Sequence, residues 1–278
     1  MNEDQTKLLN LLKSSKKCFL MVAPSFPIDF DYKTFVPLMK SLGFDKVTEL
    51  TFGAKIVNKE YREYINNNPS QEKFIASVCP SIVNLVKTQS PENVKYLLPY
   101  DSPMVSMAKI IKKNYPDYEI VFLSPCFAKK VEAANSGLIS VAVTYKELKE
   151  IIDEKKPKIK SKNSSFDALV NEYTKIYPIT GGLAKTMNSK NIFKKNEELS
   201  TDSCKNINEI LSKKGIKFFD ILFCKGGCIG GNGILSNEST AIKKKKILKY
   251  KEIIENKIIG KKRGLIKETE GISFNKKF

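Results

Sequence analysis

Short apolar runs alternate with helical patterns along most of this sequence, an arrangement typical of parallel sheets covered by helices. Several of the runs end at glycine or proline, and all are short. Such lengths are typical of buried strands and not of buried helices. The chain has 278 residues, enough for one large domain or two closely joined lobes. We therefore predict an α/β fold. The predicted strands are Cys18–Ala23, Lys46–Phe52, Lys73–Val78, Tyr118–Leu123, Leu138–Val143 and Phe218–Phe223.

Three of the six cysteines directly follow predicted strands. Cys79, Cys126 and Cys224 each stand just beyond the end of an apolar run. Ligands of open α/β sheets bind beyond the carboxyl ends of the strands, so these thiols are expected to meet at one rim. Cys18 opens a strand and is expected only to pack in the core, and Cys204 belongs to no motif.

The segment CKGGCIGGNG, residues 224–233, combines Cys224 and Cys228 with five glycines. Glycine lets the backbone approach a bulky inorganic group, and thiolates are soft ligands for iron–sulfur clusters or zinc. Structural zinc sites usually use two close pairs of ligands, whereas here one close pair is joined by the remote single Cys79 and Cys126. The spacing favours a cluster over zinc, and a glycine-rich turn with incidental cysteines is the weaker interpretation.

Composition excludes several other kinds of site. Histidine is absent, which removes Ser-His-Asp triads, Cys-His dyads and imidazole metal ligands. The net charge is +18, but lysines are spread along the whole chain, so a solvated surface is a better interpretation than nucleic-acid binding. No apolar run approaches the ~18 residues of a membrane span, and no signal sequence is recognised. We expect a cytoplasmic protein that does not enter the membrane.

Three segments resemble the three signature motifs of the iron-only hydrogenase catalytic domain. The resemblance covers about residues 17–255, and the order of the motifs is preserved. It implies a two-lobed fold with parallel sheets flanked by helices and a cluster between the lobes. Residues 1–278 would then form a single domain of two intertwined lobes, with 241–278 as a basic helical tail. The matching segments are ASVCP at 76–80 for TSCCP, SPCFAKKVE at 124–132 for MPCxxKxxE, and LFCKGGCIGGNG at 222–233 for MACxxGCxxGGG.

The active site of that family is the H-cluster, a 4Fe–4S cubane joined by a cysteine to a two-iron unit that carries CO and cyanide. The resemblance implies that Cys79, Cys126 and Cys224 hold the cubane. Cys228 would be the fourth ligand and the bridge to the two-iron unit, so the implied cofactor is a 4Fe–4S cluster or the complete H-cluster. Lys129 matches a lysine that hydrogen-bonds a cyanide, as an ammonium beside an anionic cluster should.

Other residues are implied to contact the cofactor through the same resemblance. Ala23, Pro24 and Ser25 would line the pocket, and Gly181 and Gly182 match a further segment of the family. Together with Lys129 and the four cysteines, they make up the candidate site.

The sequence also departs from the active enzymes. Val78 stands where they carry a cysteine that relays protons, and Ser124 and Leu222 replace methionines. No CxxCxxC segment of a ferredoxin-like domain is present, so electrons would come from a partner. These departures resemble the sensory hydrogenase-like group. They imply a protein that senses hydrogen or turns it over weakly, with an electron-transfer or signalling partner. The alternatives are a 4Fe–4S scaffold without the two-iron unit and, third, a nucleic-acid-binding module.

Overall fold

The computed structural model describes residues 1–159, 165–255 and 260–278 and shows two parallel sheets flanked by helices. The predicted α/β class is confirmed. The strands are β1 (Lys17–Val22), β2 (Lys46–Glu49), β3 (Phe74–Ile75), β4 (Tyr118–Ser124), β5 (Val141–Thr144), β6 (Glu198–Thr201) and β7 (Phe218–Ile221). The helices are α1 (Glu3–Lys13), α2 (Phe35–Leu42), α3 (Thr51–Asn67), α4 (Pro80–Gln89), α5 (Pro103–Asn114), α6 (Ala128–Ser136), α7 (Tyr145–Lys155), α8 (Gly182–Met187), α9 (Ile207–Leu211) and α10 (Thr240–Glu255).

The first sheet has the order β2-β1-β4-β5, and every neighbouring pair is parallel. Its central strands, β1 and β4, are apolar over most of their length because helices cover both faces, and Cys18–Val22 is fully buried. Val22 pairs with Leu123, so β1 and β4 end side by side at the same edge of the sheet. We call the part of the chain built on this sheet the first lobe.

The second sheet has the order β3-β7-β6 and is also parallel. Its middle strand, β7, is buried along its whole length, and Phe218 stacks on Phe193 with ring centroids 5.4 Å apart. Helix α4 begins at Pro80, immediately after Cys79, because proline is well suited to the first turn of a helix. We call the part built on this sheet the second lobe.

The C-terminal segment differs from the helical tail expected over residues 241–278. It is helical over Thr240–Glu255, but the described residues that follow return to the body of the protein. Phe274 is buried against the helices of the first lobe, and Asn275 makes an isolated bridge with Tyr100. Gly264 lies against the ring of Phe52, so close that a β-carbon would meet it at 2.3 Å. These apolar contacts hold the end of the chain against the core.

Candidate metal-cluster site

One cavity of about 80 Å³ lies between the lobes, where strands of both sheets end. Its lining is predominantly apolar, as expected of a pocket that excludes water from a bound group. The first lobe contributes residues that follow β1 and β4, and the second contributes residues that follow β3 and β7. Among the lining residues are Ala23, Pro24, Ser25, Val78, Cys79, Pro125, Cys126, Lys129, Asp220, Leu222 and Cys228.

The structure brings four of the six cysteines together. Cys79, Cys126 and Cys228 line the cavity, and Cys224 lies close enough to interact electrostatically with all three. Burial raises the pKa of Cys224 to about 11 and that of Cys228 well above its ordinary value, and the neighbouring thiols add to both shifts. A set of neighbouring, partly buried thiols of this kind is suited to a positively charged metal group that can share the negative charge of the thiolates. All six cysteines are free thiols.

The other two cysteines do not line the cavity, as expected. Cys18 is buried at the start of β1, and its thiol donates weakly to the carbonyl of Leu11 at 3.9 Å. Cys204 is buried in the core of the second lobe, in the same cluster of side chains that Cys79 packs against. Cys204 is thus near the site without facing into it.

The spacing of the thiols indicates the size of the group they can hold. Across the described part of the chain, no three Cys, Asp or Glu side chains approach closely enough to share one metal ion. A cubane binds each thiolate at a different iron, so its ligands stand farther apart than those of a single ion. Three thiols that line one cavity, with Cys224 beside them, are compatible with such a cluster.

Cys126 occupies the start of helix α6, where backbone amides are free to donate. The amides of Lys129 and Ala128 point to its sulfur and oppose the rise in pKa that burial causes. Lys129 lines the cavity, and its ammonium donates to the carbonyl of Val78 at 3.1 Å and to the Glu132 carboxylate at 2.5 Å. A positive charge thus lies beside the thiols, as an anionic occupant requires.

Ser25 lines the cavity, but its hydroxyl already has a protein partner. Its oxygen lies 2.7 Å from the hydroxyl of Tyr145, which also donates to the carbonyl of Ala23 at 3.1 Å. The segment after β1 is therefore held rigidly at the cavity wall.

The glycine-rich loop of the third motif packs directly on the loop of the second. The Gly233 amide donates to the Pro125 carbonyl at 2.9 Å, and the Phe127 amide donates to Asn232 at 3.1 Å. A β-carbon at Gly231 would lie 2.3 Å from the Pro125 carbonyl oxygen, so only glycine permits this approach. The glycines thus place Cys224 and Cys228 against Cys126.

Gly181 and Gly182 were predicted to belong to the site but do not line the cavity. Gly182 packs against the backbone of Ile176, with a hypothetical β-carbon 2.0 Å from its carbonyl oxygen. This contact turns the chain sharply, and Ile179 then bridges to Gly227 of the cysteine loop. The two glycines shape the segment that reaches the cavity through Tyr177 and Pro178.

Two polar lining residues, Tyr177 and Asp220, were not predicted from the sequence. Asp220 is buried on β7, where one carboxyl oxygen accepts from the Ala184 amide at 3.2 Å and the other has no protein partner. Burial raises its pKa to about 7. The Tyr177 hydroxyl is also buried without a partner. The sequence did carry a signal for Asp220, because it is an aspartate inside the apolar run FFDILF, residues 218–223.

The model of the family described as "Iron only hydrogenase large subunit, C-terminal domain" matches residues 16–232. The chain belongs to this family. Iron hydrogenase 1 of Clostridium pasteurianum is 27% identical to it over 267 residues, which cover 75% of this chain and 46% of the relative. The cytosolic Fe-S cluster assembly factor NAR1 of Encephalitozoon cuniculi (strain GB-M1) is 25% identical over 207 residues, covering 65% of this chain and 56% of that protein. The chain thus spans about half the length of these curated relatives.

Solved structures of FeFe-hydrogenases share the fold. A HydA protein studied for stepwise H-cluster assembly aligns with a TM-score of 0.70 and 16% identity, covering 100% of this chain and 96% of that one. A variant of HydA1 from Chlamydomonas reinhardtii aligns with the same TM-score, identity and coverage. The two-lobed fold implied by the sequence motifs is confirmed. None of the helices in the described ranges has the length and apolar character needed to cross a membrane.

Proposed function

We propose that this chain is an iron–sulfur protein that binds a 4Fe–4S cluster through Cys79, Cys126, Cys224 and Cys228. The observation that supports the proposal is that three of these thiols, from both lobes, line one cavity and that Cys224 lies beside them. Thiolates are the ordinary ligands of such clusters, and the glycine-rich loop provides the close backbone approach that a bulky group needs. Family membership supports the same assignment.

The surroundings of the thiols fit an anionic cluster. Metal binding removes the thiol protons, and the buried ammonium of Lys129 offsets part of the resulting negative charge. The unpartnered oxygens of Tyr177 and Asp220 indicate that the cavity accommodates a group with polar atoms of its own. Lys129, Tyr177 and the amides at the start of α6 would orient and stabilise that group.

A complete H-cluster is the fuller form of this proposal. The cavity is lined by Cys228 and also by the segment Ala23–Ser25, where the family resemblance would place the two-iron unit. When bound, such a unit supplies the chemistry of hydrogen splitting and formation. Lys129 would hold it in place, and hydrogen would be the ligand. Val78 carries no proton to this part of the cavity, so we propose a sensor of hydrogen or a weak enzyme.

A second candidate is a 4Fe–4S scaffold or assembly protein that never holds the two-iron unit. The similarity to the assembly factor NAR1 favours it, as does Val78 in place of a proton-carrying residue. In either case we propose a single two-lobed domain in the cytoplasm, working with an electron-transfer or signalling protein. Nucleic acid remains the weakest proposal for a partner because the lysines are dispersed over the chain.

The proposal is tested by loading the protein with iron and sulfide in the absence of oxygen. We expect about four irons and four sulfides per chain, as a single cubane requires. Infrared bands of CO and cyanide, after expression with the maturation proteins of an active hydrogenase, would distinguish the complete H-cluster from the scaffold. A chain that retains no iron under either condition would overturn both candidates.

A further inference from the structure

The wall of the cavity formed by Tyr177 and Asp220 has an unusual property. Both residues bury an oxygen atom that has no hydrogen-bond partner in the protein. A buried polar atom without a partner is costly, and most such atoms in folded proteins are satisfied. Both oxygens border the same cavity, so a group bound there would be within reach to act as their partner.

The rest of the lining does not satisfy these oxygens. Leu183 and Leu222 approach from the second lobe and offer only carbon atoms, and the Ser25 hydroxyl is already paired with Tyr145. Asp220 uses one oxygen to accept from Ala184, which leaves the second one free. The Tyr177 hydroxyl lies near enough to Tyr61, Asp220 and Cys228 to interact electrostatically with each of them, and Cys228 is the proposed cluster ligand among the three.

We propose that the Tyr177 hydroxyl donates a hydrogen bond to a sulfur of the cluster or of its Cys228 ligand, and so acts as a positioning residue that makes the cluster easier to reduce. The inference rests on the proposed function. Tyrosine is suited to the role because its ring fills an apolar wall while its hydroxyl supplies one directed donor. Hydrogen bonds to sulfur stabilise the more negative, reduced state of an iron–sulfur cluster and thereby raise its reduction potential.

The proposal predicts opposite effects of one substitution in two states of the protein. Tyr177→Phe removes the hydroxyl and leaves the ring in place. In the protein without a cluster, the variant should unfold at a higher temperature than the wild type, because a buried donor without a partner has been removed. In the loaded protein, the same variant should be harder to reduce.

The decisive measurement is a redox titration of the loaded proteins, followed by electron paramagnetic resonance. At a fixed potential, the ratio of oxidised to reduced cluster should rise roughly tenfold in Tyr177→Phe, which corresponds to ~59 mV for a one-electron couple. Tyr173→Phe is the matched control, since Tyr173 is 63% exposed and does not line the cavity. It should leave the potential and the iron content unchanged.

The outcomes separate this inference from the proposed function. Full iron content in Tyr177→Phe with an unchanged potential would overturn the hydrogen bond and leave cluster binding intact. An equal shift in Tyr173→Phe would overturn it too, because the effect would not depend on the cavity. A wild-type chain that takes up no iron would overturn both proposals, whereas a lower unfolding temperature of the cluster-free variant would show that the hydroxyl has a partner within the protein.

Discussion

The side-chain nitrogen of Lys129 lies 3.1 Å from the carbonyl oxygen of Val78 and donates a hydrogen bond to it. This bond joins helix α6 of the first lobe to the loop that follows β3 in the second. Glu132, one turn further along α6, accepts from the same nitrogen at 2.5 Å. Lys129 therefore ties the two lobes together at the cavity, in addition to any contact with a bound group.

Lys129→Met should weaken the fold as well as the site. Among the residues that the structure describes, the substitution leaves the buried Glu132 carboxylate with Lys276, 3.9 Å away, as its one remaining ion-pair partner. We expect the free energy of unfolding to fall by about 2–3 kcal/mol, measured by urea denaturation of the cluster-free protein. Lys149→Met is the control, because its pair with Asp153 is exposed and should contribute less than ~0.5 kcal/mol. If the free energy of unfolding fell equally in the two variants, the proposed role of Lys129 in joining the two lobes would be contradicted.

Val78→Cys should raise hydrogen turnover if the complete H-cluster is loaded. Val78 lines the cavity and has no ionisable group, whereas a thiol there would carry protons. General acid–base groups accelerate reactions by roughly 10²–10⁴-fold, so we expect at least a tenfold increase in hydrogen evolution from a reduced dye. Val86→Cys adds a thiol at a buried position outside the cavity and should have no effect. A wild-type rate equal to that of dedicated hydrogenases would show that protons reach the site by another route.

Cys126→Ser should lose most of the iron, and Cys204→Ser should retain it. Serine is a poor substitute for a thiolate ligand, and Cys126 faces the cavity. Cys204 is buried behind Cys79 and belongs to the core of the second lobe. Iron and sulfide per chain, measured after oxygen-free loading, provide the comparison. The ligand assignment would have to be abandoned if both variants bound the same amount of iron.

The strand-end rule predicted the site because it depends only on local patterns. An apolar run followed by cysteine marks where a buried strand stops, and parallel strands stop at common edges. Cys79, Cys126 and Cys224 were placed in this way, and the structure brings them together with Cys228. The rule accounts for Cys79 and Cys224, which follow neighbouring strands of the second sheet, but Cys126 follows β4 of the first sheet. The expected single rim is therefore formed by two sheets, and how they face each other could not be predicted from local patterns.

Other elements could not be predicted because their local sequence patterns are weak or because they depend on contacts between residues distant in the sequence. Helix α1 is mostly polar and is fixed by a capping box between Asn2 and Gln5 and by two buried leucines. Strand β6 (Glu198–Thr201) has no apolar run and exists because it pairs with β7. The contribution of Tyr177 depends on a turn at Gly182 that only the packing against Ile176 reveals.

Asp220 should make the stability of the cluster-free protein depend on pH. Burial raises its pKa from 3.8 to about 7, so the folded state binds more protons than the unfolded state between these values. The free energy of unfolding should therefore fall as the pH rises from about 4 to 7, by ~4 kcal/mol at most. Asp220→Asn keeps an acceptor for the Ala184 amide and should remove this dependence. Urea midpoints at pH 5 and pH 8 test it, and parallel changes in wild type and variant would contradict the assignment.

The position of β7 in the second sheet has a consequence for how the protein is made. Within the described ranges β7 is the last strand, yet it lies between β3 and β6 and precedes the two cysteines of the glycine-rich loop. While a ribosome is still synthesising the chain, Cys79 and Cys126 emerge long before the central strand that completes their surroundings. Loading of a cluster must therefore follow translation of the loop at 224–228. Until then the growing chain offers at most two of the four proposed ligands, Cys79 and Cys126.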